Sequence, residues 1–522
     1  MEQLPPVIKA LLSPHVYPYK PYGVKLIQTH ISYIFLTGSY VFKVKKPVDL
    51  GFLDFTTLDK RYLYCKEEIR LNRRLSPEIY MDVVEIKKDG DQFNIGGSGE
   101  LIEVAVKMRE LPQEKTLARL LEKGQVTEDM IDDLARVMAD FHQGAESSPR
   151  ISEFGEVERV FFSIEENFKQ TEKYIGITLS HEKYHALKEY SYKFLEGNTD
   201  LFQKRIEDGK IRDCHGDFHC ENVYFVDKIY VLDCIEFNER FRYIDTACDM
   251  AFLIMDLDYR GYSEFSNRLL NTYLQFTGDY GLVSVLNFYK IYRAYVRGKV
   301  GSFKLDMEGP SEKQRAAIKR EAKKYFDLAY QYVKKKEGPF LLTTTGVMGS
   351  GKTYVSQRLA SRIDAVIIHS DAMRKKLACL SPTEHRYEPY GKGIYSEAFT
   401  RKVYDQLLKE AKDILNSGKP VILDGSFSKK WQRDIVIDFA KSSRYPYLFI
   451  HCSSDDTVIK RRLSKRKFRE HNISNGRLEL LKTHKAEYEA PHEIDPANIY
   501  EVNTEGEIER AINHIERLIK RI

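Results

Sequence analysis

One eight-residue segment constrains the fold of this chain more than any other: residues 346–353, Gly-Val-Met-Gly-Ser-Gly-Lys-Thr. It fits the pattern GxxxxGK(S/T), follows the apolar, strand-like residues 340–345 and opens a helix-like segment at Lys352. Glycines let successive backbone N–H groups turn inward around a phosphate, and the N-terminus of the following helix adds partial positive charge. The motif therefore predicts a phosphate-binding loop at the carboxyl end of a buried strand.

The motif also assigns roles to single residues. We expect Lys352 to reach the β- and γ-phosphates of ATP, which makes it a candidate catalytic residue. The Thr353 hydroxyl is expected to bind Mg²⁺. The backbone expected to surround the phosphates belongs to Gly346, Gly349, Ser350 and Gly351.

Strand-like and helix-like segments alternate after residue 338. The strand-like segments are 340–345, 365–369, 420–424 and 445–451. Such alternation indicates an α/β fold, a parallel sheet with helices on both faces. The third segment ends at Asp424, where a carboxylate can hold the metal through water.

The segment after the second of these strands offers an acceptor site. Asp371 and Arg374 are three residues apart, so they share one side of a helix's first turn near the cleft. Asp371 could take a proton from an acceptor hydroxyl, and Arg374 could hold an acceptor anion. The alternative is a helix-capping aspartate beside a solvated arginine.

Residues 460–469 contain seven basic residues in ten. In a nucleotide kinase such a segment supplies arginines that stabilise the transferring phosphoryl group, and Arg462 and Arg466, four apart, could face one site. The alternatives are a nucleic-acid patch and a solvated face.

Residues 338–522 thus resemble the small P-loop kinases, which include gluconate-kinase-like and polynucleotide-kinase-like enzymes. The resemblance rests on the strand, phosphate loop and helix, on Ser-Asp-x-x-Arg at 370–374 and on the basic segment. It implies transfer of the ATP γ-phosphoryl group to a hydroxyl.

A second chemical motif lies in the first half of the chain. Residues 214–222 are Cys-His-Gly-Asp-Phe-His-Cys-Glu-Asn, which gives Asp217 and Asn222 the D-x-x-x-x-N spacing of a kinase catalytic loop. Two short apolar strands follow and end at Asp233. In that geometry Asp217 orients the acceptor hydroxyl, while Asn222 and Asp233 hold Mg²⁺.

Residues 20–330 resemble the aminoglycoside phosphotransferase family, which has His-Gly-Asp at this position. The resemblance implies an α+β, protein-kinase-like bilobal domain and a structural role for Asp249 in holding the catalytic loop. It also requires a strand lysine for the ATP phosphates. Lys43 is our choice, with Lys45 open because the two side chains share a strand face.

The same family pairs that lysine with a helical glutamate. Glu68 fits better than its neighbour Glu67, although both could be exposed acids on a charged helix. Aminoglycosides are polycations, and residues 149–209 carry no unusual acidic cluster, so the resemblance does not imply an antibiotic substrate.

Length and charge indicate two domains. A chain of 522 residues exceeds one hydrophobic core, and we expect domains 1–335 and 338–522, with a helix at about 311–336 ending the first. A free-standing spacer is the alternative for that helix. From Gly338 onward 32 basic residues face 24 acidic ones, a net charge of +8, against −3 before it. Further long helical segments are expected at 187–209 and 245–276.

Composition excludes several classes. Seven cysteines without a CxxC pair argue against a disulfide scaffold or a zinc ribbon. No apolar run approaches the roughly 18 residues of a membrane span. The N-terminus lacks a signal-peptide pattern, so we expect a cytoplasmic protein without a membrane partner.

The domain order resembles a bacterial family of bifunctional phosphotransferase/ATP-binding proteins. We expect an ATP- and Mg²⁺-dependent phosphotransferase with two sites, each acting on a small-molecule hydroxyl. One half could instead be a regulatory nucleotide-binding or RNA-binding module, or the second half could phosphorylate a nucleic-acid 5′-hydroxyl. The acceptors, the coupling of the sites and the oligomeric state are open.

Overall fold

The computed structural model describes residues 4–307, 310–335, 338–384, 388–389, 391–466, 476–506 and 508–519. Contacts group the chain into two compact units. Unit 1 consists of Met1–Thr127, Asp140–Asp256 and Tyr289–Tyr330. Unit 2 consists of Glu128–Ala139, Leu257–Phe288 and Gln331–Ile522. These units do not follow a single cut in the chain, so the boundary near residue 337 stays a prediction.

Unit 1 contains a six-stranded antiparallel sheet in the order β1-β2-β3-β6-β4-β5. Phe35 and Phe42 face each other across β2 and β3 and are buried, which anchors this hairpin in the core. The strands are β1 (Lys25–Gln28), β2 (Ser32–Leu36), β3 (Tyr40–Lys45), β4 (Tyr80–Asp89), β5 (Gln92–Ile95) and β6 (Glu100–Arg109).

Two short antiparallel pairs, β7 with β10 and β8 with β9, complete the strands of unit 1. Because each strand has three residues, the pairs serve mainly to fix the loops between them, which carry the candidate site. They are β7 (Ile211–Asp213), β8 (Val223–Phe225), β9 (Ile229–Val231) and β10 (Tyr243–Asp245).

Twelve helices precede the second sheet in the described chain, and four of them, α4, α9, α11 and α12, have residues in both units. They are α1 (Pro6–Ala10), α2 (Leu58–Asn72), α3 (Leu117–Glu122), α4 (Glu128–Gly144), α5 (Pro149–Ser152), α6 (Val157–Thr171), α7 (His181–Gly197), α8 (Thr199–Glu207), α9 (Thr246–Tyr259), α10 (Ser263–Thr277), α11 (Leu282–Phe303) and α12 (Glu312–Lys334).

The structure corrects two predicted helices. The expected helix 187–209 is two helices, α7 and α8, because Asn198 leaves helical geometry (φ −132°) and its Nδ2 donates to the Phe194 carbonyl at 2.8 Å. The expected helix 245–276 is likewise split into α9 and α10 at residues 260–262. Among the described helices, none is both long and apolar enough to cross a membrane.

The predicted parallel sheet of unit 2 is confirmed. Its five strands are all parallel and lie in the order β12-β13-β11-β14-β15, and every residue of the central strand β11 is buried. This burial on both faces is typical of a sheet covered by helices on each side. The strands are β11 (Leu341–Thr345), β12 (Val366–His369), β13 (Val421–Asp424), β14 (Tyr447–Ser453) and β15 (Ile499–Asn503).

Seven further helices are described in unit 2. Val355 and Leu359 of α13 and Ile512 of α19 pack with sheet residues in one buried cluster. The helices are α13 (Lys352–Ile363), α14 (Ser370–Leu377), α15 (Glu397–Asn416), α16 (Lys430–Ser443), α17 (Asp456–Arg466), α18 (Leu481–Ala486) and α19 (Ile508–Ile519).

Helix α10 covers the edge strand β12 of this sheet. The Asn271 side chain accepts the Ile367 amide at 2.7 Å and donates to the Ala365 carbonyl at 3.0 Å. The Asn267 side chain donates to the same carbonyl at 3.0 Å. Unpaired edge groups invite pairing with other chains, so two asparagines from residues 257–288 protect the edge of the P-loop sheet.

Candidate active sites

The loop after β7 is held by one buried aspartate of α9. Asp249 accepts the amides of His215 at 2.8 Å and Gly216 at 3.0 Å, and its Oδ2 lies 3.3 Å from Nε2 of His142. Gly216 has φ +82°, and a Cβ there would lie 2.6 Å from the Phe241 carbonyl oxygen. This position therefore requires glycine, and the loop has one well-defined backbone path.

Asp217 projects from that loop toward Asn222 and His219. Nδ2 of Asn222 donates to the Asp217 carboxylate at 3.2 Å and to its carbonyl at 3.0 Å. Nε2 of His219 lies 3.3 Å from Oδ2 of Asp217. Burial alone would raise the pKa of Asp217, but the charges of His219 and Arg297 outweigh it and hold that pKa below its usual value. The carboxylate is thus ionised near neutral pH.

The β8–β9 pair brings Asn222 and Asp233 together. The Leu232 amide donates to the Asn222 carbonyl at 2.9 Å. Asp233 is the next residue in the chain, so it lies close to Asn222. Asp233 has φ +66°, a left-handed backbone that costs a non-glycine residue energy and is often found at functional sites. Its amide donates to the Tyr80 hydroxyl at 3.0 Å.

Lys43 links the sheet to this loop. Its Nζ lies 2.5 Å from Oδ1 of Asp233 and 2.9 Å from Oε1 of Glu68. Burial would lower the pKa of Lys43, but Asp233 and Glu68 raise it well above its usual value. Burial would raise the pKa of Glu68, yet Lys43 and Lys45 lower it to about 2. The Lys43 ammonium group therefore lies between the buried carboxylate of Glu68 and the exposed carboxylate of Asp233.

The sequence left Lys45 open as an alternative to Lys43, and Glu67 as an alternative to Glu68. The structure places these two alternative residues in different surroundings. Lys45 is buried, 2.6 Å from Oε2 of Glu68, and it also pairs with buried Glu236. Glu67 is on the surface and pairs with Arg70 at 2.8 Å. Glu68 thus bridges both lysines, and of the two lysines Lys43 is the one that contacts Asp233.

The donor set of unit 1 fits Mg²⁺. The carboxylates of Asp217 and Asp233 and the amide oxygen of Asn222 are oxygen ligands, which this ion prefers. Half of the Asp233 side chain is exposed, so its carboxylate is accessible. Asp233 and Asn222 are the residues that would hold the ion.

The phosphate-binding loop of unit 2 has the expected backbone. Gly346 has φ +139°, and a Cβ there would lie 2.3 Å from the Cys452 carbonyl oxygen. Gly349 and Gly351 also have positive φ, at +80° and +92°. Nζ of Lys352 donates to the carbonyls of Gly346 at 3.0 Å and Val347 at 2.9 Å. The lysine therefore lies over the loop that precedes its helix.

Asp424 collects several donors next to this loop. Its carboxylate accepts the hydroxyls of Thr353 at 2.8 Å and Ser356 at 3.1 Å, and lies 2.8 Å from Nδ1 of His369. Burial would raise the pKa of Asp424, but the hydrogen bond from His369 and further donors lower it to about 2. The Thr353 hydroxyl and this carboxylate are oxygen donors and fit Mg²⁺.

A cavity of about 1190 Å³ opens beside the loop, entirely within unit 2. Lys352, Thr353, Asp371, Arg374 and Asp424 all line it, so the structure brings these five predicted residues together, whereas Arg462 does not line the cavity. Helices α4 and α10 contribute a further wall: Asp129, Asp132, Asp133, Arg136, Arg268, Thr272, Gln275 and Phe276. The volume is sufficient for a nucleotide and a small acceptor.

Arg374 is less available than the sequence indicates. Its side chain is buried, and Nη1 donates to the Ile394 carbonyl at 2.5 Å and to the Thr400 hydroxyl at 3.1 Å. Its guanidinium also stacks 4.9 Å from the Tyr395 ring centre. Its role as an acceptor ligand stays a prediction, and so does the role of Asp371 as a base.

The two predicted lid arginines differ in outcome. Nη1 of Arg462 donates to the Thr504 hydroxyl at 2.7 Å, and Nη2 to the Thr504 carbonyl at 2.8 Å, which ties α17 to the end of β15. Arg466 ends α17, and its side chain lies outside the described residues, as do residues 467–475 of the basic segment. A lid function of both arginines stays a prediction.

Comparison with known proteins supports a P-loop domain in unit 2. Residues 341–491 match the model of the AAA domain family. The chain is also 29% identical over 471 residues to uncharacterized proteins of Mycobacterium tuberculosis and Mycobacterium bovis, covering 90% of this chain and 92% of each relative. The domain at 341–491 is thus a nucleotide-binding P-loop domain. The similarity to the mycobacterial proteins extends beyond this domain and covers both halves of the chain.

Solved structures of kinases are similar to parts of the chain. A gluconokinase from Sinorhizobium meliloti is 18% identical (36% of this chain, 94% of that one, TM-score 0.25). The APS kinase of Mycobacterium tuberculosis with AMPPNP and APS is 14% identical (35% and 99%, TM-score 0.28). A choline/ethanolamine kinase family protein from Mesorhizobium loti is 11% identical (63% and 99%, TM-score 0.37). TM-scores this low carry no structural inference.

Sequence reasoning missed three residues near these sites. Glu236 follows Asp233 by three residues in an irregular segment and pairs with buried Lys45, which no local sequence signal indicates. His369 ends β12 directly opposite Asp424 in the parallel register. His484 lines the cavity, and burial lowers its pKa to about 4. No local pattern indicates His484, because only the folded chain brings α18 to the cavity.

Proposed function

We propose that this protein is an ATP- and Mg²⁺-dependent phosphotransferase with two nucleotide sites, each transferring a phosphoryl group to a hydroxyl of a small-molecule acceptor. The observation that carries the proposal is that each unit sets a lysine beside a cluster of oxygen donors. In unit 1 these are Lys43 with Asp233, and in unit 2 Lys352 with the Thr353–Asp424 pair. The proposal includes a kinase-like bilobal fold for residues 1–335.

In unit 1 the ionised Asp217 orients the acceptor hydroxyl and receives its proton. The acceptor oxygen forms a bond to the γ-phosphorus while the bond from that phosphorus to the bridging oxygen breaks, and ADP leaves. Lys43, held by Glu68, binds the ATP phosphates. Mg²⁺ held by Asn222 and Asp233 would neutralise charge on the β- and γ-phosphates.

In unit 2 the amides of residues 346–351 and the Lys352 ammonium bind the ATP phosphates. Asp371 lies in the same cavity and receives the proton of the acceptor hydroxyl, and Thr353 and Asp424 are the residues that would hold Mg²⁺. The breaking and forming bonds are those described for unit 1. Arg374 contributes charge from the cavity wall.

Separate disabling of the two sites tests the proposal. Asp217→Asn and Lys352→Ala are compared with the wild type in a metabolite extract with labelled ATP, and the labelled products are separated. Each variant should lose a different set of products and keep the other set. The two-site proposal is wrong if both variants keep every product of the wild type.

A second candidate function rests on α17, where Lys460, Arg461 and Lys465 are exposed. Such a surface would suit RNA binding, with one unit acting as a regulatory module or as a 5′-hydroxyl kinase of nucleic acid. RNA affinity that falls steeply with salt would support this function. Transfer of label to 5′-hydroxyl oligonucleotides identifies the kinase version directly, and the absence of both results removes this candidate.

A further inference from the structure

His484 of α18 lines the cavity of unit 2 and makes no hydrogen bond to any residue that the structure describes. The residue is 7% exposed, and its Nδ1 is buried without a hydrogen-bond partner. Buried polar groups are normally hydrogen-bonded, because an unpaired one costs free energy. A histidine kept at such a position therefore indicates a ligand that the cavity receives from solution.

Helix α18 places this histidine next to the phosphate-binding loop. Leu481, three residues before it, belongs to a buried cluster against which Val347 and Met348 of the loop pack. Leu480 and Glu487 line the same cavity as His484, and their spacing of four and three residues from it puts all three on one side of the segment. The imidazole ring thus lies on the side of the cavity that the phosphate-binding loop borders.

The two ring nitrogens differ in what they can reach. Nδ1 is enclosed by the protein while the ring borders the cavity, so Nε2 is the nitrogen that can contact a ligand. A buried N–H group without an acceptor is rarer in proteins than a buried acceptor without a donor. The proton of the neutral ring therefore belongs on Nε2, and His484 offers the cavity one N–H donor.

The charges around the ring favour an anionic ligand. Burial and the Lys352 ammonium lower the pKa of His484 to about 4, so the imidazole is neutral near pH 7. Glu487 and Lys429 shift this pKa in opposite directions, and they pair with each other at 3.2 Å. A neutral donor close to the Lys352 ammonium suits a ligand that carries negative charge, as the ATP phosphates do.

We propose that His484 is a further nucleotide-binding residue of unit 2, and that its Nε2–H group donates a hydrogen bond to a γ-phosphoryl oxygen of ATP. The amides of a phosphate-binding loop surround the α- and β-phosphates, so a side chain that faces the cavity meets the terminal phosphate. This inference rests on the function proposed for unit 2 and adds a residue to its site. The proton stays on Nε2, and the hydrogen bond stabilises charge on the phosphoryl group during transfer.

Nucleotide titrations of the full chain test the inference. All proteins carry Lys43→Met, which weakens ATP binding in unit 1. AMPPNP, an ATP analogue that is not hydrolysed, and ADP are titrated separately by calorimetry in the presence of Mg²⁺. His484→Leu should weaken AMPPNP binding about tenfold or more and ADP binding less than about threefold, because only AMPPNP has the third phosphate.

Two further variants complete the titration. His484→Gln keeps an N–H donor at this position and should retain most of the affinity for AMPPNP. His492→Leu removes an exposed histidine that does not line the cavity, so it is the matched control and should change neither affinity. Equal AMPPNP affinities with and without His484→Leu, or equal losses for AMPPNP and ADP, would overturn the inference.

Unfolding by urea separates binding from folding. Because neither ring nitrogen has a partner in the described chain, His484→Leu should leave the free energy of unfolding of the nucleotide-free protein unchanged or raise it. A marked loss of stability would mean that the histidine serves the fold, which would contradict the inference.

Lys352→Ala in the same background tells failure of the inference from failure of the proposed function. If this variant binds AMPPNP and ADP as tightly as its parent, the function proposed for unit 2 fails, and the inference with it. If nucleotide binding depends on Lys352 but not on His484, the inference alone fails.

Discussion

Nδ1 of His369 lies 2.8 Å from Oδ2 of Asp424, at the facing ends of two parallel strands. The same carboxylate oxygen accepts the Thr353 hydroxyl at 2.8 Å. The histidine therefore fixes the orientation of the carboxylate that is proposed to hold Mg²⁺ with Thr353. Residues behind a metal ligand commonly tune metal affinity in this way.

We therefore predict that His369→Gln weakens Mg²⁺ binding in unit 2 by about 10- to 100-fold. The measurement is a Mg²⁺ titration of ATP turnover, carried out in an Asp217→Asn background that silences unit 1. At saturating Mg²⁺ most of the turnover should return, because the ligands themselves are intact. His451→Gln removes a histidine that contacts the exposed Glu501 and stacks on Tyr488 but, among the described residues, does not contact Asp424, so it should leave the Mg²⁺ titration unchanged. Identical titrations for both variants would remove the positioning role of His369.

The lysines of β3 should differ in what they stabilise. Lys45→Met leaves buried Glu236 without its ion-pair partner and Glu68 with Lys43 alone, and breaking such a buried pair typically costs about 3–5 kcal/mol. Lys43→Met leaves Glu68 paired with Lys45, so it should cost less stability and mainly weaken ATP binding. Urea unfolding and nucleotide titration measure the two effects.

The double variant Lys45→Met/Glu236→Gln provides the control, because it removes the charge of the carboxylate that Lys45→Met leaves without a partner. It should be more stable than Lys45→Met alone. If Lys43→Met proves the more destabilising single change, the buried ion cluster is wrongly assigned.

The sequence was sufficient for the parts of the molecule that local chemistry determines. The glycines of residues 346–351 allow the positive φ angles of the phosphate-binding loop, and the Asp217–Asn222 spacing lets these two side chains meet. The parallel sheet follows from the alternation of apolar and helical segments. Helix breaks were harder, because Asn198 ends α7 through a hydrogen bond that has no strong sequence signal.

Long-range partners could not be read from the sequence. His369 meets Asp424 only through strand register, and Asn271 meets Ile367 across 96 positions of chain. Arg374 looked available for an anion, yet its Nη1 donates to Ile394 and Thr400, which approach from the chain beyond its own helix. Such contacts depend on tertiary packing, which periodicity does not encode.

Because α10 covers the edge strand β12, we predict that a fragment of residues 338–522, which lacks α10, is not stable as a soluble monomer. Without α10, the Ile367 amide and the Ala365 carbonyl lose the Asn271 side chain and the strand edge is open to pairing. This fragment should aggregate in sedimentation experiments, whereas the full chain should not. A monodisperse, folded fragment would contradict the prediction.

Asn271→Leu tests the same contact in the full chain. It leaves a buried amide and carbonyl with fewer partners and should lower the free energy of unfolding by about 1–3 kcal/mol. Glu264→Gln, at an exposed position of α10, is the control and should change it by less than about 0.5 kcal/mol. Chemical unfolding monitored by fluorescence measures both variants.

Lys299 makes stability depend on pH in a defined window. Burial lowers its pKa from 10.5 to about 8, so between these values the unfolded chain binds more protons than the folded chain. The contribution of Lys299 to the free energy of unfolding must therefore rise with pH from about 8 to 10.5. Below pH 8 the folded protein keeps a desolvated cation at a cost in stability.

We predict that the stability of Lys299→Met relative to the wild type falls across this window, by roughly 1–3 kcal/mol. Urea unfolding at pH 7, 9 and 10.5 measures the difference between the two proteins, which cancels the titration of all other groups. Lys323→Met removes an exposed lysine of α12 and should show a constant difference from the wild type. A constant difference for Lys299→Met as well would mean that Lys299 is solvated.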